Sequence, residues 1–284
     1  MFRNQSLKFQ GICCIIMAAF FFSLMSLFVR LSGDLPVMEK AFFRNAVAAI
    51  VALVMLLRAE EGFRPGKGNL PFLVLRSVFG TAGIVANFYA IDHMAISDAN
   101  MLNKLSPFFA IIMSYFLLKE KAGRKEWAAV AAAFAGALLV IKPSFSAGAV
   151  PSLVGVLGGF SAGVAYTFVR LLGKKGERGP VIVFFFSTFS TLFVLPFMIA
   201  DFEPMTMQQF FLLLGAGAAA AGGQLSITAA YSKAPAREIS VFDYSQILFA
   251  ALLGFLVLGE LPDVYSFIGY IVIIAAAVWR AKAS

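Results

Sequence analysis

The sequence predicts an all-α integral membrane protein of ten transmembrane helices, built as two inverted five-helix repeats. Three observations carry that expectation. First, the 284 residues are 61% hydrophobic and 13% charged, with a mean hydropathy of +0.87. Soluble domains are nearer half apolar and a quarter charged, so a water-soluble chain of this composition would expose too much apolar surface. Second, the apolar runs are near-continuous over about 20 residues, the length of a helix that crosses a bilayer. The alternation of a membrane β-barrel is absent. Third, the second half repeats the first at an offset of 140 residues, without a gap. Phe28-Val29-Arg30-Leu31 returns as Phe168-Val169-Arg170-Leu171, Phe109-Ala110 as Phe249-Ala250, and Leu118 and Glu120 as Leu258 and Glu260. Gly83 likewise falls on Gly223 and Ala90 on Ala230. An odd number of spans per copy forces the copies into opposite orientations, the footprint of alternating access.

The first repeat, 1–143, takes spans at 11–30, 36–57, 70–91, 97–118 and 124–142. Span 1 contains the two cysteines, Cys13 and Cys14, which we read as apolar filler: adjacent cysteines give neither a disulfide framework nor a metal site. No small-residue cleavage site follows this run, so a cleaved signal is not expected. Spans 2 and 3 open at Pro36 and Pro71, where a missing N–H costs little. Gly66 and Gly68 mark the loop between them. Pro107 lies inside span 4 and predicts a kink there. The second repeat, 144–284, takes spans at 152–172, 180–200, 208–231, 239–259 and 264–281, with Pro151, Pro180 and Pro262 at span starts and Gly173, Gly176 and Gly179 in a loop. Small residues recur every fourth position at Gly155, Gly159 and Gly163, at Gly215, Ala219 and Gly223, and at Ala128, Ala132 and Gly136. Such faces let helix backbones approach closely in lipid.

The net charge of +8 reflects orientation rather than nucleic-acid binding. With the N-terminus in the cytoplasm, the inner segments hold Arg3 and Lys8, the clusters at 58–67, 119–125 and 174–178, Lys233, Arg237, Arg280 and Lys282. The outer segments hold Arg30, Lys40 and Lys142. That is the positive-inside pattern. It implies an even number of spans and both termini in the cytoplasm.

Charges inside membrane spans are costly and mark function by default. Five qualify: Glu39 and Arg44 in span 2, Arg76 in span 3, Lys104 in span 4 and Asp243 in span 9. Span direction puts Glu39, Arg44 and Lys104 in an outer layer and Arg76 and Asp243 in an inner one. We expect Glu39 to pair with Lys104 or Arg44, and Arg76 with Asp243, as gates or as permanent ion pairs. The repeat carries Asn103-Lys104 onto Asp243-Tyr244, so spans 4 and 9 are expected to line a central cavity. Polar side chains at Asn87, Tyr89, Asn100, Tyr166, Gln224, Tyr231 and Gln246 need partners, in a cavity or between helices. The candidate substrate-binding or gating set is therefore Glu39, Arg44, Arg76, Asn87, Tyr89, Asn103, Lys104, Tyr166, Gln224, Asp243, Tyr244 and Gln246. His93, beside Asp92, is expected in an outer loop, as a solvated side chain or a pH sensor. Glu120 and Glu260 end spans 4 and 9 at equivalent places, with a helix-end role or one in ion coupling. No HExxH, CxxC, GxSxG or Walker motif is present, so neither catalysis, metal, cofactor nor ATP-driven transport is expected.

These residues resemble a family. Glu39-Lys40-Ala41-Phe42-Phe43-Arg44, Leu105-Ser106-Pro107-Phe108-Phe109, Leu117-Leu118-Lys119-Glu120, Ala234-Pro235-Ala236, the run Leu248–Gly254 and Leu258-Gly259-Glu260 are similar to the ten-span, EamA-like branch of the drug/metabolite transporter superfamily. Ile247 stands where the second copy would carry a proline. The resemblance implies an inner-membrane carrier, importer or exporter, of a small metabolite. Amino acids, nucleobase compounds, amines and carboxylates are among the substrates it implies. The Glu-x-x-Phe-x-Arg pattern and Leu75-Arg76 also resemble members linked to S-adenosylmethionine uptake.

The expected function is secondary transport of a small polar metabolite. Three cations against two anions in the spans favour a zwitterionic or anionic substrate. Protons are an expected coupling partner, beside the lipid bilayer, in a monomer or homodimer without nucleic acid. A proton-independent exchanger and an amine exporter of the same fold are the alternatives. An intramembrane enzyme would need clustered nucleophiles or ligands that the sequence does not offer.

Overall fold

The computed structural model describes residues 2–59, 64–93, 100, 102–141, 149–259 and 261–282. Among them all regular structure is helical. The helices are α1 (Phe2–Leu31), α2 (Val37–Arg58), α3 (Leu70–His93), α4 (Ser106–Leu118), α5 (Arg124–Ile141), α6 (Ala149–Lys174), α7 (Gly179–Ala200) and α8 (Met207–Lys233). Then come α9 (Ala236–Ile239), a 3-10 turn over Ser240–Tyr244, α10 (Ser245–Leu258) and α11 (Val264–Lys282). Eight segments are long and apolar enough to cross a membrane, counting Ala236–Leu258 as one, and α4 is a shorter apolar helix. Except for the start of span 4, expected at 97 where the helix begins at Ser106, the expected span ends agree with these bounds within a few residues, because apolar length and loop breakers set both. α1 starts earlier than its apolar run and carries a polar first two turns. Lys142, Glu260 and the side chain of Asp92 lie outside the described residues.

The polarity is that of a multi-pass membrane protein. Leu57, Leu192, Phe211, Leu256 and Ile271 face outward, 64–67% exposed, while Glu39, Asn45, Arg76, Gln224 and Asp243 are buried. Lipid solvates the apolar belt, and the interior must satisfy the polar groups.

Two features depart from unbroken spans. Lys104 and Leu105 form a turn, and α4 starts only at Ser106. At the matching place in the second half, the 3-10 turn ends at Tyr244 and α10 starts at Ser245. Pro107 therefore lies in the first turn of α4 and not in a helix interior, so it does not make the expected kink. Ile247 occupies the equivalent position without a proline and the break is still there, so packing causes it. The helix ends match as well. Lys119 and Gly259 both adopt left-handed backbone, φ 58° and 69°, and turn their N–H groups back onto the carbonyls of Ser114 and Tyr115, or Gly254 and Phe255. His93 lies in the last turn of α3 rather than in a loop.

Packing is reciprocal between the halves. α1 lies on α8 as α3 lies on α6; α2 lies on α8 as α3 lies on α7; α4 lies on α6 as α10 lies on α1. α2 meets α7 and α5 meets α11, each a helix and its own counterpart. The glycine face of α6 covers the break before α4. A Cβ at Gly159 would come within 2.6 Å of the Leu102 carbonyl oxygen, and one at Gly163 within 2.8 Å of the Ala110 nitrogen. Backbone there touches backbone, which only small residues allow.

Candidate substrate site and gates

The two helix breaks meet. Lys104 Nζ lies 3.1 Å from Asp243 Oδ2 and donates to Gln246 Oε1 at 2.7 Å. The Tyr244 phenol donates to the Lys104 carbonyl oxygen at 2.8 Å, which caps one group freed by the break. Ser23 of α1 donates to the Gln246 carbonyl oxygen at 2.8 Å. The pair is largely buried, its side chains 15% and 11% exposed. Irregular backbone at membrane depth persists where it lines a cavity or is buried in protein, and here it brings one charge from each half together.

This arrangement corrects the expected pairing. Lys104 joins Asp243, not Glu39, and Arg76 has no acidic partner among the described residues. Lys104 and Asp243, expected in different layers, lie side by side where the two helix breaks meet. Glu39 is fully buried elsewhere, beneath the 201–206 segment, and accepts from the Glu203 N–H at 3.4 Å. Its Oε1 is buried without a hydrogen bond.

Next to the junction, Tyr166 of α6 stacks on Tyr231 of α8, centroids 4.8 Å apart and planes 9° apart. Tyr166 lies close enough to feel Asp243, Arg76 and Arg44. The Arg76 guanidinium rests 3.9 Å from the centre of the Phe186 ring. The remaining candidates are not drawn in by any contact. Tyr89 stacks on His93 at 4.0 Å, and Tyr89's carbonyl oxygen lies 2.9 Å from His93 Nδ1. Asn87 and Asn103 are half-buried. Gln224 is buried on α8.

At each end of the bundle the loops are clasped. On one face Glu177 Oε2 accepts from the Gly66 N–H and the Asn69 amide, both at 2.9 Å. Glu120 pairs there with Arg170 at 3.1 Å and Lys174 at 3.4 Å, and Arg170 also donates to the Ser232 carbonyl oxygen. On the other face Gln209 donates to the Ser32 carbonyl oxygen at 3.0 Å. The repeat offset relates Asn69 to Gln209, so equivalent residues tie loop to loop at both ends. Ser23, Asn69, Glu177 and Gln209 look like ordinary helix and loop residues in the sequence. The only available signal was the 140-residue offset applied to loop amides. Among the described residues, no group of three His, Cys, Asp or Glu side chains is placed to hold a metal.

Comparison with known proteins agrees with this architecture. The model of the EamA-like transporter family matches twice, over 9–142 and 151–280. A pseudopaline exporter, CntI, of Pseudomonas aeruginosa is 34% identical over 272 residues, 95% of either chain. Human solute carrier family 35 member G1 is 26% identical over 288 residues, 95% of this chain and 78% of its own. A solved crystal structure shares the fold with a TM-score of 0.80 at 16% identity, covering 96% of both chains. The chain belongs to the EamA-like transporter family and is a multi-pass membrane transporter, not an enzyme.

Proposed function

We propose that the protein is a secondary active transporter that moves a small polar metabolite across the inner membrane by alternating access. In this reading 1–143 and 144–284 are inverted five-span repeats, and both termini are cytoplasmic. The observation that carries it is the Lys104–Asp243 pair at the meeting of the two helix breaks. A site at a repeat interface, built from interrupted helices near mid-membrane, is where a carrier binds its cargo. Substrate or a proton arriving at Asp243 releases Lys104, and the exchange of partners is what a two-state carrier needs. The reciprocal end clasps supply the gates: the Glu177 and Glu120 contacts close the cytoplasmic face, and the Gln209 and Glu39 contacts close the outer one. Likeness to a named exporter favours export.

The test is flux through purified protein in liposomes of both orientations. The panel is labelled amino acids, small carboxylates, nucleosides and S-adenosylmethionine, each with and without a proton gradient. Saturable flux of one class, abolished by Asp243→Asn, is expected. Flux that rises linearly with concentration, or saturable flux untouched by Asp243→Asn, overturns the reading.

A further inference from the structure

Two guanidinium groups lie inside the bundle with no ion-pair partner among the described residues. Arg76 is 2% exposed, and its Nε and Nη1 are buried without hydrogen-bond partners. The buried Nε of Arg44 on α2 is likewise unpartnered. The two are near enough to repel one another, and Tyr166 feels both. The neighbouring acids are committed elsewhere: Asp243 to Lys104, Glu39 to the Glu203 N–H, Glu120 to Arg170 and Lys174. Among the described residues, no acid on α2, α3, α6 or α7 forms an ion pair with either guanidinium, Glu39 included.

The Phe186 ring beneath Arg76 offsets only part of the cost of burying the charge. A buried ion pair is at best near neutral for stability, and an uncompensated buried charge is strongly unfavourable. The local sequence nevertheless makes room for Arg76. Gly80 lies one turn further along α3. A Cβ there would overlap Arg76 Nη1 and come within 2.6 Å of the Phe186 ring. The glycine is the berth of the guanidinium. Phe186 covers one face of the Arg76 plane, leaving its edge of N–H donors for a flat, bidentate acceptor. The Tyr166–Tyr231 stack provides an adjoining flat apolar wall, suited to an organic acid more than to a hydrated inorganic ion.

We propose that Arg44 and Arg76 form an anion site for a carboxylate of the transported metabolite, so that the cargo is a small organic acid or amino acid. This rests on the transporter reading above and narrows it. The carboxylate is the missing counter-ion, the Tyr166 phenol is a further donor, and Asp243 lies beyond that phenol to meet any cationic end.

The test is binding, read without transport, by thermal unfolding of the purified protein in nanodiscs. The probes are glutamate, succinate, citrate, inorganic phosphate and spermidine. At least one carboxylate is expected to stabilise the wild type. Arg76→Met is expected to raise the midpoint of the ligand-free protein, since it removes an unpaired charge. It is also expected to weaken carboxylate binding about ten- to a hundredfold, the worth of one charged hydrogen-bonding group. Arg76→Lys recovers part of that binding. Gly80→Ala, which keeps the charge but displaces it, also loses it. A lower ligand-free midpoint in Arg76→Met makes the guanidinium structural and overturns the proposal. A response to phosphate or spermidine alone, or to no probe, overturns it too. Arg76-dependent carboxylate binding without flux would instead fault the transporter reading. Flux of a non-carboxylate unaffected by Arg76→Met would leave that reading standing and remove the site.

Discussion

The Tyr244 phenol donates a hydrogen bond to the Lys104 carbonyl oxygen, and the two residues are 140 positions apart, the offset of the internal repeat. A residue thus touches its own counterpart. Under a two-fold relation this happens only beside the axis, as in a symmetric dimer interface. The contact locates the point about which the reciprocal helix packing turns, and the Lys104–Asp243 ion pair lies beside it.

Breaking that pair should cost more than removing it. Asp243→Asn or Lys104→Met alone leaves a buried charge uncompensated and is expected to destabilise the protein by about 3–5 kcal/mol. The double variant should recover most of this while remaining transport-dead. A double-mutant cycle in thermal or denaturant unfolding gives the coupling directly, and additive losses would show that the pair is not energetically joined.

The clasps should act on one face each. Glu177→Ala removes the acceptor for the Gly66 N–H and the Asn69 amide. Hydrogen bonds to a charged group are worth about 1.5–3 kcal/mol. In a background without Cys13 and Cys14, a cysteine at Ser232 is expected to label several-fold faster in Glu177→Ala, and one at Ser32 to label no faster. Gln209→Ala should give the opposite pattern. Equal acceleration at both ends would mean general loosening.

Lys119 carries a left-handed backbone that Gly259 adopts at the equivalent helix end. A side chain in that conformation costs roughly 1 kcal/mol relative to glycine. Lys119→Gly should therefore raise stability by up to about 1 kcal/mol and leave transport unchanged. Gly259→Ala should lower stability by a similar amount. Unfolding midpoints of the two variants decide it.

The α6 face should not tolerate bulk. Gly159→Val drives a side chain into the Leu102 carbonyl oxygen, and overpacking of this kind costs about 1–3 kcal/mol. Because it presses on the turn that holds Lys104, transport is expected to fall further than stability does. A variant with reduced stability and normal flux would separate the face from the site.

The clasps and the ion pairs show where sequence reasoning stops. Lys104 and Asp243 were identifiable as costly charges in apolar runs, and Arg44, Arg76 and Glu39 with them. Their partners were not, because a pair is set by how two helices cross, and the breaks at 104–105 and 244–245 bring together two charges that continuous spans had suggested lay in different layers. Pro107 pointed at the first break for the wrong reason, and Ile247 gave no sign of the second. Asn69, Glu177 and Gln209 look like ordinary loop residues until the loops are brought face to face.

The sequence by itself determined the multi-pass membrane class, the EamA-like family and the approximate ends of most of the apolar helices. Those follow from local quantities: the number of apolar residues a bilayer demands, the residues that end a helix, and a repeat written in the chain. Only the tertiary structure decided that Lys104 takes Asp243, that Glu39 lies against Glu203 and not against Lys104, and that Arg44 and Arg76 form no ion pair among the described residues. A side chain's counter-ion depends on distances of a few ångströms between segments far apart in the chain, and helix crossing alone sets those.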